Sequence, residues 1–201
     1  MKTSKATKLI ASCALTAWAA ASFAQHSGHA QDSATPAPAR ASTPASPYSG
    51  EQTRSIKSLS ASDITGLQTG AGMAYAKAAE LNGYPGPAHV LELAAQLQLN
   101  SDQRAATEKL MEQHKSKART LGVQLVDAER ALDSAFASKQ IDAQRTTELT
   151  QRIGALQATL RAEHLQTHLA QTALLNPRQV ASYQSLRGYD KPAGQAQTPA
   201  H

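Results

Sequence analysis

Residues 110–135 have the sequence LMEQHKSKARTLGVQLVDAERALDSA, and this stretch decides the fold. Leucine, alanine and one histidine recur in it every three or four residues, which is the spacing of one face of an α-helix. The members of this face are Leu110, His114, Ala118, Leu121, Leu125, Ala128, Leu132 and Ala135. The periodicity predicts one long helix from Ser101 to about Ala137.

A second periodic stretch follows after a short gap. Its apolar face consists of Leu149, Ile153, Leu156, Leu160 and His164. It predicts a helix from Asp142 to Leu175, and the short segment 138–141 forces the two helices to fold back as an antiparallel hairpin. Each helix would span about 50 Å, too long for a compact globule, so we predict an elongated all-α protein. Leu165 and Leu169 point away from the first face, and this second apolar face needs a partner, either the N-terminal helices or another subunit. We predict a homodimer.

Short helices are predicted on both sides of the hairpin. Ser60 and Asp63 have the spacing of a capping box, which indicates a short helix at its start. Residues 71–81 are alanine-rich and predict a second helix, and Pro87 is suited to begin a third one over 88–97. Asn176 and Pro177 begin a last helix that runs to about Leu186. With an aromatic content of 4%, 11 glycines and 9 prolines, the chain does not favour a many-stranded β fold.

The two ends of the chain differ from its middle. Residues 1–24 combine a basic start, an apolar run and the small residues Ser22 and Ala24, which is the pattern of a signal peptide cleaved after Ala24. Residues 25–55 and 191–201 are rich in Pro, Ala and Ser or Gln, and we expect them to be disordered because they cannot bury enough apolar surface. The folded domain is predicted over 56–190, and export with no cysteine after Cys13 favours a periplasmic location.

Charge and motifs exclude several function classes. The chain has 20 basic and 15 acidic residues, a net charge of +5, and three of the lysines lie in the predicted signal peptide. The remainder is too balanced to indicate nucleic-acid binding. No glycine-rich phosphate loop follows a predicted strand, and no Gly-x-Ser-x-Gly motif is present, so we expect no enzymatic activity. The apolar signal sequence is expected to be removed, which leaves no stable membrane insertion.

Two copies of one pattern bracket the predicted hairpin. Leu99, Asn100 and Gln103 form the first Leu-Asn-x-x-Gln, and the second consists of Leu175, Asn176 and Gln179. Asparagine is a good helix N-cap, and a glutamine three residues later can reach back to it. These motifs resemble the paired LTxxQ motifs of the Spy/CpxP family of periplasmic stress proteins, whose wider relatives include ZraP and CnrX. Asparagine replaces threonine in both copies and keeps the capping role.

The resemblance covers about residues 84–189 and implies a function. It suggests a periplasmic, ATP-independent chaperone or adaptor that binds unfolded envelope proteins or a membrane sensor protein. The alternative is a periplasmic heavy-metal sensor or metal-binding resistance protein of the ZraP or CnrX type. The segments 83–87 and 186–189 also look like family features, although the sequence assigns them no chemical role.

The histidines of the two long helices are the candidate metal ligands. If the hairpin turns near Lys139, facing residues have numbers that sum to about 278, so His114 faces His164. His168 lies one turn further along the same helix, and Glu163 is adjacent. Together they offer nitrogen and carboxylate ligands for Zn²⁺, Ni²⁺ or Cu²⁺, although no cofactor is required. The competing interpretation is a structural one, in which the histidines only form hydrogen bonds across the hairpin.

Overall fold

The computed structural model describes residues 45–190, and these contain helices and turns but no strand. The predicted signal peptide, the tail and most of the predicted linker lie outside this range. Within the linker, a short 3-10 turn covers Glu51–Thr53. The α-helices are α1 (Ala61–Thr69), α2 (Lys77–Glu80), α3 (Pro87–Glu92), α4 (Ser101–Ala137), α5 (Ala143–Leu174) and α6 (Pro177–Arg187). None of the helices in 45–190 has the length and apolarity that a membrane span requires.

Helices α4 and α5 form the predicted antiparallel hairpin, and the shorter helices pack against it. The turn between them is tight, with Lys139 at a φ of 59° and Asp142 capping α5 by accepting from the Arg145 amide at 2.7 Å. Facing residues have numbers that sum to 278, as the Thr107–Gln171 hydrogen bond shows. We call this the 278 pairing. Helix α1 lies along α4, and α2 and α3 lie on the part of the hairpin far from its turn.

The half of the hairpin nearer the turn holds the main apolar core. Its buried members are Ile56, Leu67, Ala118, Leu125, Val126, Ala128, Ile153 and Leu160. Helix α1 joins this core because Ser60 and Asp63 form the predicted capping box at its start. Gly122 on α4 permits the close approach of α1, since a Cβ built there would lie 2.0 Å from the Leu67 carbonyl oxygen.

The open end of the hairpin is closed by the two Leu-Asn-x-x-Gln motifs. Both form the predicted capping boxes at α4 and α6. The two glutamines also bind each other, because each side-chain amide nitrogen donates to the other's oxygen at 2.9 Å, Gln103 to Gln179 and Gln179 to Gln103. The same nitrogens donate to the carbonyls of Leu174 and Leu97. We call this reciprocal pair the amide clamp. Leu99 and Leu175 pack in a second apolar cluster beside it.

Two predicted helices are shorter than the sequence indicates. The predicted helix 71–81 is wrong over its first half, because Met73 and Ala74 adopt left-handed backbone at φ 41° and 62° and only Lys77–Glu80 is helical. The predicted helix 88–97 ends at Glu92, and Gln98 is also left-handed at φ 51°. In both places the chain must turn sharply to pack against the hairpin, and this outweighs a weak local preference for helix.

Candidate metal centre

A cavity of about 550 Å³ opens beside the half of the hairpin that is far from the turn. It is bounded by the loop 70–76, helix α2, the start of α3 and the facing sides of α4 and α5. All four histidines of the described residues line it, namely His89, His114, His164 and His168. This concentration of imidazoles identifies the cavity as the candidate site.

His114 and His164 meet across the hairpin as the 278 pairing requires. Their rings contact edge to face with centroids 4.5 Å apart, and Tyr75 stacks on the other side of His164 at 5.4 Å. His164 is only 3% exposed, and its Nε2 atom is buried without a hydrogen-bond partner. Burial is the main cause that lowers the pKa of His164 to about 4, and the neighbouring His114 and His168 lower it further. The ring is therefore neutral at pH 7, and one nitrogen has a free lone pair.

Hydrogen bonds orient the ring of His114. Its Nδ1 lies 3.0 Å from the Thr167 hydroxyl, whose single proton is donated to the Glu163 carbonyl at 2.8 Å. His114 Nδ1 therefore donates to Thr167, and Nε2 holds the lone pair of the neutral ring. Glu163 Oε1 lies 3.5 Å from the same Nδ1. Burial lowers the pKa of His114, while Glu163 opposes that change.

His168 is oriented by the segment that precedes α3. Its Nδ1 lies 2.7 Å from the Tyr84 carbonyl oxygen, which can only accept, so Nδ1 carries the proton and Nε2 has the lone pair. Gly86 lies against this ring, because a Cβ there would be 2.8 Å from Nε2. Metal-binding histidines are commonly held in this way, with one ring nitrogen donating to a carbonyl and the other one left for the ion. The segment 83–87 thus has a role that its sequence does not indicate.

Glu80 connects the cavity with the end of helix α6. Its carboxylate accepts hydrogen bonds from the hydroxyls of Tyr183 and Tyr189, and Arg187 Nε lies 3.7 Å away. Its second oxygen is 3.7 Å from His168 Nδ1. Tyr183 is fully buried, and burial together with the bond to Glu80 raises its pKa. The segment 186–189 therefore supports the wall of the cavity.

The predicted ligands are neighbours without forming a ready-made metal site. Within residues 45–190, no three His, Cys, Asp or Glu side chains surround one point as metal ligands do. His114, His164 and Glu163 lie together, and His168 is one turn away with its Nδ1 bound to Tyr84. The unpartnered Nε2 of His164 nevertheless fits a ligand, since a buried imidazole nitrogen normally has a partner. Binding of an ion then requires one or more of the rings to turn.

Sequence reasoning missed several residues around this cavity. Tyr75, Thr167 and Tyr84 orient the rings, and Met111 and Met73 line the same space. One of them had a usable signal, because Met111 precedes His114 by three residues and so lies on a neighbouring part of the same helix face. The others act through backbone atoms or through a loop whose conformation local patterns do not indicate.

A comparison with known protein families identifies the family of this chain. A family model described as heavy-metal resistance matches residues 66–182. The chain belongs to the heavy-metal resistance family. The matched residues of this family member extend from α1 into α6 and include both Leu-Asn-x-x-Gln motifs and every residue that lines the cavity except Tyr189. The family lies in the Spy/CpxP-like superfamily, so the resemblance is confirmed at that coarser level. Neither curated proteins nor solved structures provide a significant match to the chain.

Proposed function

We propose that this member of the heavy-metal resistance family binds a transition-metal ion in the cavity between α4, α5 and the loop 70–76. The observation that carries the proposal is the buried Nε2 of His164, which has no partner and lies beside two further imidazoles. Neutral imidazole is a common ligand for Zn²⁺, Ni²⁺ and Cu²⁺. The family match supports the same class of ligand.

The ion would be held by the Nε2 atoms of His114, His164 and His168. Hydrogen bonds from Nδ1 to Thr167 and to the Tyr84 carbonyl leave two of these atoms free for an ion. Glu163, the predicted carboxylate ligand, lies 3.5 Å from Nδ1 of His114, on the side of the ring away from Nε2, so it would orient this ring and not hold the ion. Such an ion would join α4 to α5 and, through His168, to the segment before α3. Binding of the ion would therefore increase the stability of that end of the hairpin.

Isothermal titration calorimetry tests the proposal. The protein is first stripped of metal with a chelator and then titrated with Zn²⁺, Ni²⁺ and Cu²⁺. We expect a His164→Ala, His168→Ala double variant to lose at least tenfold in affinity for the bound ion, with the tail histidines His26 and His29 retained. The matched control is His89→Gln, because His89 also lines the cavity but is paired with Glu92 on its exposed side. Equal affinity of the double variant and the wild type would refute the site.

Export remains a proposal that rests on the sequence alone. We propose a periplasmic protein that begins at Gln25 after cleavage behind Ala24. Mass spectrometry of the protein from a periplasmic extract gives the first residue directly. A mass that corresponds to a chain starting at Met1 would refute cleavage.

A second candidate function is the binding of unfolded envelope proteins or of a membrane sensor protein. It is favoured by large apolar side chains that remain exposed, among them Phe136 at 51%, Leu169 at 54% and Leu81 at 52%. Substoichiometric protein is expected to slow the aggregation of a denatured client without ATP. The assay is run with and without the metal that calorimetry identifies, and no effect at tenfold excess would refute client binding.

Dimer formation can be tested at Leu169. The predicted second apolar face is partly covered, because Leu165 is half-buried whereas Leu169 is exposed. We propose that Leu169 packs against a second copy of the chain. Sedimentation is expected to show a dimer at tens of micromolar for the wild type and a monomer for Leu169→Glu. A wild type that is monomeric at this concentration would refute the dimer.

A further inference from the structure

The donors that line the cavity include sulfur as well as nitrogen. Both methionines of the described residues, Met73 and Met111, line it together with the four histidines, and no cysteine lies in this part of the chain. Imidazole and thioether are both uncharged ligands. Glu80 is the one carboxylate among the lining residues, and its Oε1 already accepts from two tyrosine hydroxyls.

Met111 is the methionine that is placed to join the histidines. On α4 it precedes His114 by three residues, and the 278 pairing puts it opposite Thr167, next to His168. Met111 and His114 on one helix and His164 and His168 on the other therefore occupy adjacent turns at facing positions. A rise of about 1.5 Å per residue separates the members of each pair by only about 4.5–6 Å along their helix.

Met73 has a different environment, although it lines the same cavity. Its sulfur packs against α1, where a Cβ built on Gly66 would lie 2.8 Å from it. The residue is held by a left-handed backbone at φ 41° and is 38% exposed. Met73 thus contacts the wall of the cavity through packing, which makes it a matched control for Met111.

We propose that the ion bound in this cavity is cuprous copper, Cu⁺, with the Met111 thioether as a ligand beside the imidazoles of His114, His164 and His168. This inference rests on the proposed function and narrows it to one ion. Thioether sulfur is a soft ligand that selects Cu⁺, whereas Zn²⁺ and Ni²⁺ are well served by imidazole and carboxylate. A monovalent ion also suits an uncharged set of ligands, because burying a doubly charged ion without compensating charge costs more.

The test compares affinities for Cu⁺, Ag⁺ and Zn²⁺. Cu⁺ is kept reduced with ascorbate and measured by competition with a chromogenic Cu⁺ chelator, and Ag⁺ serves as a redox-inert ion of the same softness. The proteins compared begin at Gln25, as proposed above, so the thiol of Cys13 is absent and cannot bind the monovalent ions. We expect Met111→Leu to weaken Cu⁺ and Ag⁺ at least tenfold and Zn²⁺ less than twofold. Met73→Leu should change none of them, and His164→Gln should weaken all.

The outcomes separate this inference from the proposed function. If Met111→Leu binds Cu⁺ as tightly as the wild type does, or loses affinity for Cu⁺ and Zn²⁺ equally, the thioether is not a ligand and the inference is wrong. In that case a lower affinity of His164→Gln for these ions still supports the metal site. If His164→Gln loses nothing, both fail. X-ray absorption at the copper edge gives a readout that does not depend on the variant's stability: wild type must show a sulfur neighbour of copper, and its absence would overturn the inference.

Discussion

Replacing Gly122 with alanine should separate helix α1 from the hairpin. A Cβ at this position would lie 2.0 Å from the Leu67 carbonyl oxygen and 2.6 Å from its carbon. These atoms belong to the backbone, so no side chain can rotate to make room. The backbone of α1 must retreat by at least about 1 Å to restore an ordinary contact. Leu67, which is 3% exposed, would then lose part of its packing in the main core.

Two opposing effects set the size of the change. Alanine favours a helix interior over glycine by up to about 1 kcal/mol. Overpacking a close contact costs about 1–3 kcal/mol, and full exposure of one leucine side chain costs about 1.5–3 kcal/mol. Since α1 can escape the clash by detaching, the cost of exposing its apolar face limits the loss. We expect a net decrease of about 2 kcal/mol in the free energy of unfolding.

Gly154 provides the matched control for this substitution. It lies inside α5, the other long helix, and a Cβ there meets no atom within 4 Å. Gly154→Ala should therefore stabilise the protein by up to about 1 kcal/mol, because only the helix preference changes. Thermal unfolding followed by circular dichroism gives both values, and hydrogen exchange should show loss of protection in residues 61–69 of Gly122→Ala. If Gly122→Ala proves as stable as Gly154→Ala, the close approach of α1 to α4 is refuted.

Three further predictions concern the polar end of the hairpin. Single Gln103→Ala and Gln179→Ala variants should each lower the free energy of unfolding by about 2 kcal/mol in urea denaturation. The double variant should lose about 1–2 kcal/mol less than the sum of the two single losses, and additive losses would contradict the amide clamp. Tyr183→Phe should cost about 1–2 kcal/mol, because Glu80 loses one of its two donors, and limited proteolysis should cut α6 faster than in wild type. For metal-free protein, the unfolded chain binds a proton at His164 near pH 6.5 and the folded chain only at about 4. The contribution of His164 to the free energy of unfolding should therefore be fully present above pH 6.5 and fall by at most about 3 kcal/mol towards pH 4 in denaturant titrations. If a His164→Gln variant shows the same pH dependence, another group is responsible for it.

The hairpin could be predicted because each of the features that determine it lies within a short stretch of sequence. A helical period of apolar residues, a segment of a few residues between two such stretches and an Asn-x-x-Gln box at each end determine where the helices begin, end and turn. Once the turn is located near Lys139, simple counting places His114 opposite His164. The prediction of that contact is confirmed by the two rings, whose centroids are 4.5 Å apart.

The remainder of the site depends on contacts between distant parts of the chain. The left-handed backbone falls on Met73 and Ala74, which are not glycines, so the sequence does not indicate the turn that precedes Tyr75 and its contact with His164. The Tyr84 carbonyl that orients His168 is a backbone atom, which a side-chain pattern cannot show. Glu80 meets Tyr183 from more than a hundred positions away. The amide clamp was half predictable, since the capping role of each glutamine is local and their mutual contact is not.

The polar pairs at the open end also fix the register of the hairpin. Along a stripe of alanine and leucine, one helix can slide past another by a turn of about 5.4 Å and still meet similar side chains. Gln103 with Gln179 and Thr107 with Gln171 do not tolerate this, because the hydrogen bonds that join these buried side chains would break together. These hydrogen-bonded pairs therefore fix the axial position of one long helix relative to the other. Any motion that opens the cavity must therefore swing the helices apart or turn the imidazole rings, since sliding is blocked.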